Sequence, residues 1–205
     1  MPDKQPIFIS GIDTGIGKTL VSAILTEKLN ADYWKPIQSG DLDSSDTLKV
    51  KSLISNKVTH FFPEAYALTQ PFSPHKSAAL DKITIDLENI VLPKTDNQLV
   101  IEGAGGLMVP LNDNFLIIDL IKQLNARVIL VTKHYLGSIN HTLLSLHALK
   151  KYGIPVMGVI FNGDKDIYSK SYILEYSEVA DLGQIPEFKT INKKTVKEAG
   201  KFITL

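Results

Sequence analysis

Cysteine is missing from all 205 residues, which excludes disulfides, thiol nucleophiles and thiolate-bound zinc. Net charge is missing as well: 22 basic residues balance 22 acidic ones, and the two signs are spread along the chain. That balance argues against nucleic acid or an anionic membrane as a partner. No apolar run approaches the roughly 18 residues needed to span a bilayer. The chain also moves straight into an apolar segment at 7–10, with no basic-then-apolar leader. The expectation is a cytoplasmic protein with no nucleic-acid and no membrane partner. No repeat, low-complexity tract or linker divides the chain, so residues 1–205 read as a single domain, long enough to bury a full core.

What is present is a phosphate-gripping segment, Gly11-Ile-Asp-Thr-Gly-Ile-Gly-Lys-Thr19, set between the apolar run Ile7-Phe-Ile9 and a helical pattern of Leu20, Val21, Ile24 and Leu25. Glycines let several backbone N–H groups point at one spot, and the following helix adds its positive N-terminal end. Lys18 can reach the outer phosphates and the hydroxyl of Thr19 can hold Mg²⁺. The spacing differs from the usual pattern of four residues between the first glycine and Gly-Lys: five separate Gly11 from Gly17, and Ile12 stands where the glycine would be. Arginine is scarce, with Arg127 alone, and it opens an apolar run at the end away from any ligand. Phosphoryl transfer needs positive charge on the migrating group. A catalytic cation other than Mg²⁺ must therefore be a lysine, and Arg127 reads as structural.

Apolar runs alternate with helical patterns, the signature of parallel βαβ units. Strands are expected at 6–10, 32–36, 98–102, 127–132, 155–161 and 182–185, and helices at 18–30, 45–54, 115–125, 139–152 and 168–179. Near-continuous apolarity, as in Val128-Ile-Leu-Val131, suits an α/β fold whose sheet is covered by helices on both faces. The stretch 56–97 reads as polar and irregular.

Ligands of such sheets bind beyond the carboxyl ends of the strands. After the second strand comes Lys35-Pro-Ile-Gln-Ser-Gly40, which presents a lysine and a hydroxyl at that edge. Asp41, Asp43 and Asp46 follow, either capping a helix or supplying a carboxylate to a metal. The third strand runs into Glu102-Gly-Ala-Gly-Gly106. An acidic residue there is poorly solvated unless it binds something, and the glycines permit close approach of a ligand. Beyond strand 127–132, Ser138 or Asn140 can cap the next helix, whose N–H groups otherwise offer an anion site. Asn162-Gly163 is a turn or a base-recognition amide. His141 and His147 lie six apart on different helix faces and make a poor metal pair.

Taken in order, Gly11–Thr19, Lys35–Gly40, Ser45-Asp46, Ser73-Pro-His75, Glu102–Gly106, Leu136-Gly-Ser-Ile-Asn-His141 and Asn162 resemble the ATP-dependent dethiobiotin synthetase family of deviant phosphate-loop ATPases. The longer loop is that family's own form. The resemblance implies a P-loop NTPase-like sheet and a reaction joining 7,8-diaminononanoate and CO₂ at the expense of ATP, with Mg²⁺, in a homodimer. Carried over by position, Lys35, Lys18 and Thr14 would be catalytic. Gly15, Ile16, Gly17, Lys18, Thr19, Leu20, Asp46, Glu102, Gly103, Ala104, Gly105, Asn162, Gly163 and Pro186 would bind the nucleotide, and Thr19, Asp46 and Glu102 would share the metal. Thr14, Ser39 and Ser73 would meet the diamine, and Gly137, Ser138 and Asn140 its carboxylate from across the dimer. Partitioning ATPases of the same superfamily carry a lysine five residues before the loop lysine, where this chain has Asp13. Glutamine-dependent amidotransferases need a cysteine nucleophile, which is lacking.

Overall fold

The computed structural model describes residues 5–205; residues 1–4, which the single-domain reading included, lie outside it. The chain opens with β1 (Ile7–Gly11), buried at every position, and turns into α1 (Lys18–Leu29). Then come β2 (Asp32–Trp34), β3 (Ile37–Ser39), α2 (Asp46–Leu53), β4 (Phe61–Phe62), β5 (Tyr66–Leu68) and α3 (Pro74–Leu80). A more regular alternation follows: β6 (Leu99–Gly106), α4 (Ile117–Gln123), β7 (Arg127–Thr132), α5 (Ser138–Lys151), β8 (Val156–Asn162), α6 (Ile167–Ser177), β9 (Asp181–Ile185) and α7 (Lys193–Ala199). Seven strands build one parallel sheet in the order β4-β2-β6-β1-β7-β8-β9.

Alternation along β1 explains the two layers. Ile7 and Ile9 enter a core with Val21, Ile24 and Leu25 of α1, Val50 of α2 and Val196 of α7. Phe8 points the other way, into a core with Ile117, Ile118 and Ile121 of α4 and Leu149 of α5. The expected sheet with helices on both faces is what the chain forms. α1 ends where Asn30 turns left-handed at φ 49° and its N–H returns to Thr26 and Glu27 carbonyls. Ile24 is fully buried, so Ile24→Ala would cost about 2–5 kcal/mol through transfer and cavity terms together.

Several expected boundaries shift. The strand expected over 32–36 stops at Trp34, because Pro36 has no N–H for the ladder. The Pro36 carbonyl instead accepts from Ala65 N (2.8 Å) and Tyr66 N (3.0 Å), and β3 pairs with β5 in a small second sheet. The stretch 56–97 is thus not irregular throughout: it carries β4, β5, α3 and a 3₁₀ turn at Leu87–Asn89. The helix expected at 115–125 spans only 117–123, since the Asp119 carboxylate takes the Leu116 N–H (2.8 Å). α7 went unforeseen, because only Val196 and Ala199 of its residues are buried and no apolar period shows.

Candidate active site

Between Gly11 and Lys18 the chain makes a tight loop beyond the carboxyl end of β1. Gly15 and Gly17 take positive φ (73° and 99°), which turns successive N–H groups toward a common point. No side chain caps α1, so its first N–H groups remain available to an anion. Ile16 is buried in the core and pins the loop. Lys18 Nζ lies over it and donates to the Asp13 carbonyl at 2.8 Å. Burial, and then the nearby Lys35, lower the Lys18 ammonium to about 8. A bound polyphosphate would relieve both penalties.

Strand register assembles the other half. Ile9 lies opposite Glu102, yet the next pairing is Gly11 with Gly106, so β6 bulges over residues 103–105. Glu102 therefore sits inside β6 and not at its tip, as the expected 98–102 strand had it. A Cβ on Gly103 would come within 2.7 Å of the Phe8 ring, so only glycine fits this bulge. On the other side Trp34 pairs with Ile101, which delivers Lys35 beside Glu102. Lys35 Nζ lies 2.8 Å from Asp46 Oδ2 and 3.4 Å from Glu102 Oε1, with Lys35 and Glu102 only 4% and 1% exposed. Burial opposes the Lys35 charge, but Glu102 and Asp46 outweigh it and raise the pKa; Lys35 in turn holds Asp46 below its usual range against burial.

Asp41 and Asp46 both line the cavity wall, and Asp46 is the one that pairs with Lys35. Ser45 caps α2 by accepting from Leu48 N (3.3 Å), which frees the Asp46 carboxylate for Lys35. Gln38 holds the turn, accepting from Asp46 N (3.1 Å) and donating to the Gly40 carbonyl (2.9 Å). Thr19 Oγ1 donates to Glu102 Oε1 at 2.7 Å. Thr19, Asp46 and Glu102 thus offer one hydroxyl and two carboxylates around a spot that already attracts an ammonium. This all-oxygen donor set fits Mg²⁺. Among the described residues no group of three or more acidic or imidazole side chains gathers elsewhere for a metal.

These groups face a cavity of about 620 Å³ with Ser39 and Ser73 in its wall together with Thr14, Gly103, Ala104 and Gly105. The Ser39 hydroxyl is buried without a hydrogen-bond partner, an orphan that a ligand N–H or O–H could satisfy.

A family model described as an AAA domain matches residues 5–195. An ATP-dependent dethiobiotin synthetase from Christiangramia forsetii is 54% identical over 95% of this chain and 94% of its own length. Those from Cytophaga hutchinsonii (47%; 92% and 92%) and Rhodopseudomonas palustris strain HaA2 (43%; 95% and 92%) match similarly. This chain belongs to the dethiobiotin synthetase family. Solved structures share the fold of this synthetase at low identity. A ParA family ATPase from Chlorobium tepidum superposes with TM-score 0.59 at 12% identity, covering 96% of this chain and 98% of that one. The septum site-determining protein MinD of Pyrococcus horikoshii, complexed with Mg-ADP, gives 0.58 at 18%, covering 95% and 86%.

The remaining expected site residues fall in three places apart from the cavity. Asn162 Nδ2 donates to the Ile16 carbonyl at 2.8 Å, so the last residue of β8 braces the phosphate loop. Gly163 N bonds the Ile185 carbonyl (2.8 Å), which sets Asn162, Gly163 and Pro186 side by side at the sheet edge. Leu20 lies half-buried on α1 against the core of that face. The Gly137 turn opens α5 at φ 102° with no side-chain cap, which corrects the expected capping by Ser138 or Asn140. Ser138 is buried, while Gly137 and Asn140 are exposed, and none of the three lines the cavity of its own chain. Arg127 sits at the opposite end of β7, as the sequence implied. Sequence reasoning passed over two residues that organise the site, Gln38 and Tyr33. Gln38 stood inside the quoted Lys35–Gly40 segment, and Tyr33, whose hydroxyl donates to Glu102 Oε2 at 2.9 Å, inside the strand expected over 32–36.

Proposed function

We propose that the chain closes the ureido ring of dethiobiotin from 7,8-diaminononanoate, CO₂ and ATP, releasing ADP and phosphate, a step of biotin biosynthesis. The observation that carries the mechanism is the buried Lys35 ammonium, held between two carboxylates beside the phosphate loop. One substrate amine adds to CO₂ and loses a proton, giving a carbamate. A carbamate oxygen attacks the γ-phosphorus, the bond to ADP breaks, and a carbamic-phosphoric anhydride forms. The second amine attacks its carbonyl, phosphate departs with the bonding pair, and the ring closes with loss of the amine proton.

Lys18 and the N–H groups of residues 15–20 grip the β- and γ-phosphates, while Gly103, Ala104 and Gly105 let the nucleotide approach β6 closely. Lys35 follows the charge, first on the carbamate and then on the phosphoryl group in flight, a task that no arginine is placed to share. Thr19, Asp46 and Glu102 would hold Mg²⁺, which neutralises charge on the phosphates. Thr14, Ser39 and Ser73 orient the diamine end, and Asn162, Gly163 and Pro186 form the base side of the site. The whole chain acts as one nucleotide-binding domain, and a cytoplasmic site of action suits an enzyme that consumes ATP. Among the described residues no helix is long and apolar enough to cross a membrane.

The enzyme works as a homodimer, in which the Gly137 turn of a second copy receives the substrate carboxylate through Gly137, Ser138 and Asn140. Three observations support this reading: the open N-terminus of α5, the absence of these residues from their own chain's cavity, and exposed apolar side chains nearby. Met108 and Leu144, each 58% exposed, flank a second hollow that adjoins the main cavity at Thr14 and Val109. Purified protein supplied with diamine, bicarbonate, Mg²⁺ and ATP should yield the ureido product by mass spectrometry. ATP hydrolysis that ignores the diamine, with no product, would refute the assignment. A fully active monomer would refute the shared site.

A further inference from the structure

We infer that Tyr33 is a positioning residue that fixes the orientation of the Glu102 carboxylate toward the metal. Its hydroxyl donates to Glu102 Oε2 at 2.9 Å, while Thr19 Oγ1 and Lys35 Nζ both contact Oε1. A carboxylate terminus has a broad torsional preference, so without that bond its plane is free to swing away from the angle at which it meets the metal. Tyr33 itself has no freedom. It is fully buried, its backbone pairs with Phe61 on one side and Val100 on the other, and its ring packs at 5.7 Å from that of Phe61. Tyr33 does not line the cavity, so it acts only through Glu102.

The inference rests on the reading in which Glu102 holds Mg²⁺, and its test needs no diamine. ATP binding is measured by calorimetry in Mg²⁺ and in EDTA, and metal binding to the ATP complex is measured with Mn²⁺ by electron paramagnetic resonance. In Tyr33→Phe the metal should bind roughly 10–100-fold more weakly, as when a residue orienting a metal ligand is lost. Metal-free ATP affinity should stay within about twofold, because the phosphate loop is untouched. Tyr33→Met fills the same space without a donor and must show the same loss; it carries the test should the Phe variant not fold. In a Glu102→Gln background, Tyr33→Phe should weaken the metal no further. Unchanged metal affinity alongside a lower melting temperature would overturn the inference, as would an equal further loss in the Glu102→Gln background. Failure of ring closure in the product assay leaves these measurements standing, so the two ideas fail separately.

Discussion

Replacing Lys35 with methionine separates what the ammonium does for the fold from what it does for the reaction. The substitution keeps the length of the stem and leaves Asp46 and Glu102 facing each other without their shared cation. Removing one partner of a buried pair costs about 3–5 kcal/mol. The Asp46 side chain keeps 22% of its exposure, which places this case near the lower end. At about 2–4 °C per kcal/mol for a chain of this size, the melting temperature of the nucleotide-free protein should fall by roughly 10 °C. Mg²⁺ offers the two carboxylates another cation, and at a hundredfold excess over its Kd it restores about 2.7 kcal/mol. Most of the deficit should therefore disappear in saturating Mg²⁺, more than in the unmodified protein. Turnover should not recover, because a charge preorganised on the migrating phosphoryl group is worth about 10²–10³ in kcat or more. Thermal melts with and without Mg²⁺, ATP calorimetry and product formation make the assay. A variant that melts low regardless of Mg²⁺ would refute the pairing argument. One that loses ATP affinity in step with turnover would make Lys35 a ground-state contact.

Lys18 gives a pH prediction. Its folded value of about 8 lies below the ordinary 10.5, so between those values the unfolded chain holds a proton that the folded chain has released, and free-protein stability should gain as pH rises through that window. ATP needs the charged form, so its affinity should fall above pH 8 and binding should take up protons there, read by calorimetry in buffers of different ionisation heat; a flat profile would sink the idea. Gly17→Ala puts a Cβ 2.1 Å from Asn162 Nδ2 at φ 99°, and the left-handed backbone alone costs about 1–2 kcal/mol. ATP affinity and melting temperature should both drop, and Asn162→Ala should relieve the clash but not the backbone cost; no relief would mean that Asn162 is not the obstacle. Ser39→Ala removes an unpartnered buried hydroxyl, so the free protein should be as stable or slightly more so while KM for the diamine rises about five- to tenfold, the worth of one hydrogen bond. A stability loss with unchanged KM would refute it.

The parts of the site that stood out in the sequence were those where an ionisable or glycine residue interrupts an apolar run. Lys18 and Glu102 announce themselves because the one closes a glycine-rich loop and the other interrupts an apolar run, and β7 matched at both ends because Arg127 and Thr132 bound an unbroken apolar stretch. What could not be read depends on pairings between distant residues. Tyr33 and Glu102 lie 69 positions apart and meet only through the register of β2 on β6. Spacing alone left Asp41, Asp43 and Asp46 open and only the family resemblance pointed to Asp46, because the cap that Ser45 takes is visible only in the fold. β3 and β5, at three residues each, are too short to show a period, and α7 buries too little to show one.

The departure of the chain from the main sheet at Pro36 has an evolutionary consequence. Lys35 directly follows a strand of the parallel sheet, but Ser39 rides on the small β3–β5 sheet and Ser73 on the turn that follows it. Insertions or substitutions across 66–80, which holds β5 and α3, can therefore reshape the wall that meets the organic substrate while the phosphate grip stays fixed. The protein is split into a fixed engine and an exchangeable jaw, and descendants of this scaffold could acquire new substrates by altering the jaw alone.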